Sequence, residues 1–369
     1  MLPLNWQRVR LGDIGKPCMC KRVMKHQTTR YGEIPFYKIG TFGNTADAFI
    51  SKKLFLEYKT KYSFPKKGDI LISASGTIGR AVIYDGKPAY FQDSNIVWID
   101  NDETLVKNDF LFYAYSNVKW NTEHTTILRL YNDNFRNTLI PLPPLNEQNA
   151  IANILSGLDR YLCALDALIL KKEGVKKALS FELLSQRKRL KGFNQAWQRV
   201  RFGDIANYLT SNLSAEQITQ QGKIKVYDVN NFIGYTDTTF ISDKPYISIV
   251  KDGSVGRVRI LPPKTNILST MGALIANHRT TTEFLFYLLS NFDFKNFTSG
   301  SIIPHIYFKD YKEKTIFLPP LNEQSAIANI LSALDNEIAS LKNKKRQFEN
   351  IKKALNHDLM SAKIRVLKK

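Results

Sequence analysis

The chain has 369 residues, of which 43% are hydrophobic, and its 53 Lys and Arg outnumber its 33 Asp and Glu to give a net charge of +20. This composition supports a globular protein with two domains of ordinary size. No apolar run approaches the roughly 20 residues that a membrane-spanning helix needs, and the N-terminus lacks the apolar core of a signal peptide. We therefore expect a cytoplasmic protein with no membrane partner, and the positive charge predicts a polyanionic ligand, with nucleic acid as the first choice.

The cysteines argue against a disulfide framework and against a metal site. Cys18 and Cys20 are close in sequence, and Cys163 is remote from both. A zinc site needs a second ligand pair, and only His26 lies near the first two cysteines. We predict free thiols in a reducing compartment and no bound metal.

The sequence contains an internal duplication. The segment WQRVRLGDI beginning at Trp6 returns as WQRVRFGDI at Trp197, and LPPLNEQNAIANILSGLD beginning at Leu142 returns at Leu318 with two replacements. The copies are 191 residues apart at the first marker and 176 at the second, so the stretch between the markers is 15 residues shorter in the second copy. Diverged regions between nearly identical flanks predict one fold with two different surfaces, as expected of a protein that reads two different things at a fixed separation.

Each variable region contains a glycine loop between two predicted strands. The first loop, 75–80, follows a strand at 70–74, and the second loop, 251–257, follows a strand at 246–250. Glycine permits close approach of the backbone to a ligand, and arginine can contact a phosphate or the edge of a guanine. The loop is retained in both copies while its neighbours diverge, so it is either part of the scaffold or a contact to phosphate. A retained loop is not expected to discriminate between bases. The candidate DNA-binding residues of the loops are Gly76, Thr77, Gly79, Arg80, Gly253, Ser254, Gly256 and Arg257.

Discrimination between DNA sequences is expected from the segments that differ. Residues 21–37 are basic and aromatic, whereas their counterpart 210–227 is polar and far less charged. Residues 124–131 differ from 300–307, and they place Arg129 opposite His305. Different donors at equivalent positions are expected if the two surfaces face different base pairs, although surface drift after duplication explains the same facts. The candidate DNA-binding residues of these segments are Lys21, Arg22, Lys25, Arg30, Arg129 and His305.

Each repeated LPPLNEQ motif opens a long predicted helix. Asn146 is a suitable N-cap, Glu147 in the first turn suits the helix dipole, and Gly192 offers a stop. A helix of some 40 residues is roughly 60 Å long, which exceeds one small domain, so each helix is expected to pair antiparallel with the other. The row of apolar residues along each helix is interrupted by Lys172 and Lys345. These lysines either set the register of the helix pair or lie at its solvated edge. The predicted seam contains Ile151, Leu155, Leu158, Leu162, Leu165, Ile169, Val175, Leu179 and Leu183, then Ile327, Leu331, Leu334, Ile338, Leu341, Phe348, Ile351, Leu355 and Leu359.

The predicted fold class is α+β, with two similar globular domains separated by two long helices in an antiparallel coiled coil and a pseudo-twofold internal repeat. The boundaries place the domains at 1–145 and 193–321, and the helices at 146–192 and 322–369. The two helical segments carry +4 and +5, which leaves +11 on the variable domains. A folded basic surface, rather than a basic tail, is therefore expected to hold the polyanion.

The chain resembles the specificity subunits of type I restriction-modification systems over essentially its whole length. The resemblance rests on the paired LPPLNEQxAIANIL junctions, the WxxVxxGDI domain starts and the GTIGR loop. It implies that each variable region is a target recognition domain for one half of a bipartite double-stranded DNA site, and that the helices form a spacer that docks two modification subunits. Those subunits would use S-adenosylmethionine, and restriction or translocase subunits would use ATP and Mg²⁺, with no cofactor in this chain.

Several motifs of catalytic proteins are absent from the sequence. It has no Asn/Asp-Pro-Pro-Tyr/Phe methyltransferase motif and no GxxxxGK[ST] phosphate loop, and Asp13, Asp69 and Asp93 form no nuclease pattern. We therefore expect a recognition subunit without catalysis. The alternatives are a specificity subunit of a cutting and methylating enzyme outside type I, a two-domain coiled-coil scaffold that binds no DNA, and lastly a nuclease. A steep loss of affinity with salt would favour DNA binding over the scaffold.

Overall fold

The computed structural model describes residues 3–124 and 128–366. It divides the chain into two compact units, unit 1 with residues 1–165 and 344–369, and unit 2 with residues 166–343. The division passes through both long helices, so the domain boundaries given above stay a prediction. Within the described ranges, no helix is long and apolar enough to cross a membrane.

Unit 1 combines short strands with short helices, which agrees with the predicted mixed class. Its strands are β1 (Gln7–Arg10), β2 (Gly15–Met19), β3 (Ile34–Tyr37), β4 (Phe49–Ile50), β5 (Ile70–Ser73), β6 (Ala81–Ile83), β7 (Tyr90–Phe91), β8 (Ile96–Asn101), β9 (Glu123–His124), β10 (Leu128–Arg129) and β11 (Leu139–Leu142). Its short helices are α1 (Leu11–Ile14), α2 (Lys52–Lys61), α3 (Asn108–Tyr115) and α4 (Asn132–Asn137). An antiparallel sheet has the order β2-β8-β5-β6, a second sheet has the order β4-β3-β7, and β1 pairs with β11.

Unit 2 repeats this arrangement. Its strands are β12 (Gln198–Arg201), β13 (Ala206–Thr210), β14 (Ile224–Tyr227), β15 (Phe232–Thr236), β16 (Tyr246–Val250), β17 (Val258–Leu261), β18 (Asn266–Ile267), β19 (Met271–Ala276), β20 (Thr298–Ser299), β21 (His305–Ile306) and β22 (Thr315–Leu318). The long helices are α5 (Leu145–Leu184) and α8 (Leu321–Met360), and the short ones here are α6 (Thr282–Ser290) and α7 (Phe308–Tyr311). The sheets have the orders β13-β19-β16-β17 and β15-β14-β18, and β12 pairs with β22.

Helix α2 has no counterpart in unit 2 and accounts for most of the length difference between the copies. Residues 51–69 connect β4 to β5, whereas only residues 237–245 connect β15 to β16. The helix begins where Ser51 Oγ accepts a hydrogen bond from Leu54 N at 3.2 Å, and it buries Phe55. The N-cap and the burial of Phe55, with Leu54 and Tyr58 packed against the same core, hold this basic insertion on unit 1.

The main core of each unit joins its sheet to its share of the long helices. In unit 1, Ile72 of the sheet and Phe110 of α3 belong to the same buried cluster as Ile151 and Leu155 of α5. The apolar stripe of α5 buries against the globular part at these positions, so helix and sheet stabilise each other. The corresponding cluster of unit 2 contains Ile249, Phe284, Ile327 and Leu331.

The long helices pair antiparallel inside each unit. In unit 1, the ring centroids of Tyr161 and Phe348 are 4.7 Å apart, and Asp159 forms an ion pair with Lys352. In unit 2, Asp335 pairs with Lys176 at 2.5 Å, which repeats the Asp159 pair with the partners exchanged between the helices. The predicted antiparallel pairing is thus found within both units.

The predicted seam is wrong at two equivalent positions. Val175 and Ile351 are 46% and 50% exposed. Seven residues beyond buried Ile169, a helix returns to the same face at Lys176 rather than at Val175. Lys172, one of the predicted breaks, pairs with Glu337 at 2.7 Å, so ion pairs replace apolar contacts in this stretch.

Both long helices end before their predicted boundaries. Helix α5 ends at Leu184 rather than at 192, and α8 ends at Met360. Gln186 and Ala362 follow the two ends with left-handed φ angles of 63° and 57°, and each stops its helix. At the other end, α5 begins one residue before the predicted cap Asn146, whose Oδ1 accepts a hydrogen bond from Glu147 N at 2.9 Å.

A buried glutamate joins three parts of each unit. Glu147 is 2% exposed and accepts hydrogen bonds from Trp6 Nε1 at 3.0 Å and from Arg365 Nε at 2.6 Å. Sequence analysis predicts only a favourable interaction with the helix dipole for this glutamate. In the structure its carboxylate ties the start of the globular part to the chain that follows α8. The equivalent cluster of unit 2 contains Glu323, Trp197 and Arg189.

The neighbouring glutamine explains the rest of the repeated motif. Gln148 is buried, and its Nε2 donates to the carbonyl oxygens of Pro143 at 2.9 Å and Leu105 at 3.0 Å. Its Oε1 accepts a hydrogen bond from Lys107 N at 2.8 Å. In unit 2, Gln324 makes the same type of contacts with Pro319 and Arg279. Since a buried polar group costs free energy unless it is paired, few other residues fit here.

We predict that Trp6→Phe lowers the free energy of unfolding of unit 1 by about 2 kcal/mol, because the buried Glu147 carboxylate loses a charge-assisted hydrogen bond. Trp197→Phe is the matched variant and should act in the same way on unit 2. Native-state hydrogen exchange measures both, with faster exchange in β2 for the first variant and in β13 for the second. Equal effects of either variant on both strands would contradict this local role.

Candidate nucleic-acid interface

The glycine loop has the same backbone geometry in both units. In unit 1, Gly79 N donates to Ser73 O at 2.9 Å, and Ser73 N donates to Arg80 O at 3.0 Å. In unit 2, Gly256 N donates to Val250 O at 2.9 Å, and Val250 N donates to Arg257 O at 2.9 Å. The loops therefore connect β5 to β6 and β16 to β17 as equivalent tight turns.

The two glycines of each loop have different roles. A Cβ on Gly79 would lie 2.1 Å from Trp120 Nε1, and one on Gly256 would lie 2.6 Å from Phe294 Cδ2. A Cβ on Gly76 would meet nothing closer than Ile39 Cγ1 at 3.7 Å, and one on Gly253 would meet nothing within 4 Å. The second glycine of each loop is therefore needed for packing against an aromatic ring. The first glycine of each loop lies at the surface, as do the exposed residues Thr77, Arg80, Ser254 and Arg257.

Arg129 and His305 lie beside the loops at equivalent positions. Arg129 forms an isolated antiparallel bridge with Ser75, and His305 forms one with Asp252. Ser75 and Asp252 each precede the first loop glycine, which confirms the alignment made from sequence. Residues 125–127 of the variable segment 124–131 lie outside the described residues. The structure thus brings the variable segments next to the shared loops.

Three of the predicted residues of unit 1 line one cleft. Arg22, Lys25 and Arg129 line a space of about 540 Å³, together with Lys38 and Asn95. The Nη2 of Arg129 donates to Ser94 O at 3.1 Å and to Asn95 Oδ1 at 3.4 Å. Residues from three separate segments therefore converge on a basic concave surface. The sequence pattern missed Lys38 and Asn95, because only the sheet brings them to Arg129.

Arg22 is held by the carboxylate of Asp93, for which the sequence predicts no role in DNA recognition. Its Nε donates to Asp93 Oδ2 at 2.9 Å, and the side chain of Asp93 is 15% exposed compared with 66% for Arg22. Asp93 also accepts a hydrogen bond from Ser94 Oγ at 3.2 Å. The carboxylate is thus a fixed support for an exposed arginine.

The other basic candidates of unit 1 lie outside the lining of this cleft. The Nζ of Lys21 lies 5.0 Å from the ring centroid of Tyr62, just beyond α2. Arg80 Nη2 donates to Gly43 O and to Asn44 Oδ1, both at 3.4 Å, and Arg30 is exposed. Contact of any of these residues with DNA stays a prediction.

Unit 2 presents different chemistry on the same scaffold. Its His305 Nδ1 lies 2.6 Å from Asp252 Oδ1. The short 3₁₀ turn Lys25–Gln27 of unit 1 corresponds to Ala215–Gln217, and each turn is closed by its last glutamine bonding to the backbone N of the residue before the turn. Lys25 is thus replaced by alanine. Lys38, which follows β3, is replaced by Asp228, which follows β14.

Unit 2 has a cleft next to the segment that follows His305. It has a volume of about 760 Å³, and Tyr307, Lys251, Lys309 and Lys312 contribute to its lining. The Nζ of Lys309 lies 5.4 Å from the ring centroid of Tyr307. An aromatic ring with surrounding lysines can contact both bases and phosphates. The sequence offered no motif for this group beyond its lysines.

The described residues contain no group of three or more His, Cys, Asp or Glu side chains that could hold a metal ion. Burial raises the pKa of the Cys20 thiol to about 12. A protonated thiol is a poor nucleophile and a poor metal ligand, so Cys20 is part of the core rather than a reactive group.

We predict that Gly79→Ala and Gly256→Ala each lower the free energy of unfolding by more than about 2 kcal/mol, because the new methyl group meets a packed aromatic ring and the backbone is left-handed. Gly76→Ala and Gly253→Ala are the matched controls and carry only the backbone cost of about 1 kcal/mol. Urea denaturation measures all four. If Gly79→Ala lost no more stability than Gly76→Ala, and Gly256→Ala no more than Gly253→Ala, packing on Trp120 and Phe294 would be unimportant.

Comparison with known proteins agrees with this architecture. The family model for the type I restriction modification DNA specificity domain matches residues 3–172 and again residues 194–350. A Haemophilus influenzae protein named as a type I restriction enzyme specificity subunit is 64% identical over 148 residues, which span 40% of this chain and 38% of that relative. The type I restriction enzyme MjaVIII specificity subunit of Methanocaldococcus jannaschii is 25% identical, over 99% of this chain and 94% of that one.

Among solved structures, the S subunit of a type I restriction-modification system from M. genitalium has a TM-score of 0.64 at 20% identity, and the match covers 97% of this chain and 98% of that chain. A structure titled for complex assembly and conformational transition of the type I R-M system has a TM-score of 0.57 at 16% identity. These two likenesses show a shared fold. Because the specificity-domain model matches most of the sequence, and matches it twice, this chain belongs to the type I restriction-modification DNA specificity family.

Proposed function

We propose that this chain is a non-catalytic subunit that directs a methyltransferase to a bipartite site on double-stranded DNA, with one half-site read by each unit. One observation supports this most directly. The loop geometry is the same in both units, while the residue bridged to the loop changes from Arg129 to His305. Lys25 and Lys38, which line the cleft with Arg129, are replaced by Ala215 and Asp228. Two equal scaffolds with different donors are expected of two readers of different base sequences.

The basic surface supplies the part of the affinity that does not depend on sequence. Exposed Arg80 and Arg257 occupy equivalent places at the ends of the shared loops. They are suited to phosphate contacts, which position a protein on DNA without discriminating bases. Base contacts then fall to the cleft of Arg22 and Arg129 in unit 1, and to His305 with its neighbours in unit 2.

The long helices are proposed to fix the half-site spacing and to dock two modification subunits. Each unit exposes an apolar residue at the same repeat position, Ile351 in unit 1 and Val175 in unit 2, and Leu170 of unit 2 is 69% exposed. Duplicated apolar positions outside the core suit two copies of one partner. Those modification subunits would bring S-adenosylmethionine, and separate restriction subunits would bring ATP and Mg²⁺.

We predict a steep salt dependence for binding to a duplex that carries the bipartite site. Neutralising six to ten phosphates would lower the affinity about 10³ to 10⁵-fold between 50 and 200 mM salt. Fluorescence anisotropy with the full chain and its methyltransferase partner measures this, and a duplex lacking one half-site is the control. An affinity that changes less than about threefold would favour the protein-binding scaffold.

We predict that inserting one heptad into both α5 and α8 changes the preferred number of base pairs between the half-sites and leaves each half-site sequence unchanged. A heptad in α5 alone is the matched control, and it should disturb the ion pairs of Lys172 and Lys176 because only one partner helix shifts. Binding selection from a DNA library with random spacers measures the preference. An unchanged spacing in the doubly extended variant would refute the helix ruler.

A further inference from the structure

Two arginines of unit 1 are braced by one short turn. Arg22 Nε bonds to Asp93, and Arg129 Nη2 bonds to Ser94 O and Asn95 Oδ1. These arginines come from segments more than 100 residues apart in the chain. The turn between β7 and β8 therefore fixes both of them at a single cleft.

The turn itself has an uncommon backbone. Ser94 has a φ of 58°, which a residue other than glycine rarely adopts, and Asn95 N donates to Asp93 O at 2.6 Å. Asn95 Oδ1 also accepts a hydrogen bond from Ser75 Oγ at 2.8 Å, which connects the turn to the shared loop. Such a conformation persists only where its surroundings hold it, and it is found preferentially at functional sites.

We propose that Arg22, fixed by Asp93, is a guanine-reading residue of unit 1, and this proposal rests on the DNA-binding function proposed above. The bond to Asp93 uses Nε and leaves both terminal nitrogens of the guanidinium for a ligand. Two parallel donors match O6 and N7 of guanine in the major groove, a pair that no other base presents. Because the side chain is ordered before binding, less conformational entropy is lost on contact.

The surrounding charges favour a base contact over a simple phosphate contact for Arg22. Lys25 lines the same cleft and offers a point charge for the backbone of DNA. Lys38 lines it too, with its Nζ 2.8 Å from Asp47 Oδ1. A phosphate contact needs no carboxylate brace, and Asp93 weakens the local positive potential that would attract a phosphate. The bond to Asp93 therefore weakens the attraction for phosphate but fixes the orientation of the Arg22 guanidinium. A fixed orientation is what a base contact requires.

Unit 2 has no counterpart of the Arg22–Asp93 pair. The residue that follows β7 by two positions in unit 1 is Asp93, and the residue that follows β18 by two positions is Ser269. Three residues before Lys25 stands Arg22, whereas three residues before Ala215 stands Asn212. The guanine contact is thus a property of unit 1 alone, and the second half-site is read by other donors.

The test uses the full chain with its methyltransferase partner and duplexes in which each base pair of the bipartite site is replaced in turn. For the wild-type chain, replacing the contacted guanine lowers affinity about 10- to 100-fold, the usual value of a bidentate pair. Replacing that guanine by 7-deazaguanine, which lacks the N7 acceptor, also lowers affinity. Arg22→Ala removes both preferences, and its discrimination at the second half-site stays intact, which shows that the variant is folded.

Three further variants separate the effects of the Arg22 charge, of its two-donor fork and of its bond to Asp93. Arg22→Lys keeps the charge but loses the two-donor fork, so it should lose the guanine preference as well. Asp93→Asn should reduce this preference partly, because the fork is less firmly held. Arg30→Ala, an exposed arginine outside the cleft lining, is the matched control and should weaken binding to all duplexes equally.

The proposal is overturned if Arg22→Ala keeps the wild-type preference at every base pair. It is also overturned if that variant weakens all duplexes equally, which is the behaviour of a phosphate contact. A wild-type complex that prefers no base at any position would instead refute the proposed function, so the two failures are distinguishable.

Discussion

The buried carboxylate at the start of each long helix is the contact on which the organisation of both units depends. Glu147 and Glu323 are each shielded from water and each bond to a tryptophan from the start of the globular part and to an arginine from beyond the end of the other long helix. A buried charge is costly unless it is paired, so each unit needs its share of both helices. This requirement accounts for the glutamate of the repeated motif in both units.

This constraint leaves the recognition surface free to diverge. The glycine at the end of each loop is fixed against an aromatic ring, and the same backbone bonds close both loops. Side chains around that fixed loop have changed from a braced pair of arginines in unit 1 to a histidine and aspartate in unit 2. Under the proposed function, this shared scaffold would carry two binding specificities, and the duplicated chain would recognise an asymmetric DNA site through them.

The sequence predicted the duplication, the mixed fold and the antiparallel helices because these depend on local repeats and on periodicity. It also placed Arg129 opposite His305 correctly, since shared landmarks flank both. It did not predict the partners of Glu147, because Arg365 is more than 200 residues away in sequence. Asp93 was missed as a brace for the same reason, as only the folded sheet brings it to Arg22. Val175 was wrongly placed on the seam because it lies six residues beyond Ile169, a step that turns a helical position about 120° away from the seam, whereas a seven-residue step returns close to it.

The most direct test of the central claim is single-molecule methylation sequencing of DNA from a host that expresses this chain with its neighbouring methyltransferase, compared with a deletion of this chain alone. The account predicts a bipartite methylated motif that disappears on deletion, because the methyltransferase is directed to its site only through this subunit. An unchanged methylome, with the methyltransferase shown to be active in both strains, would contradict the specificity role.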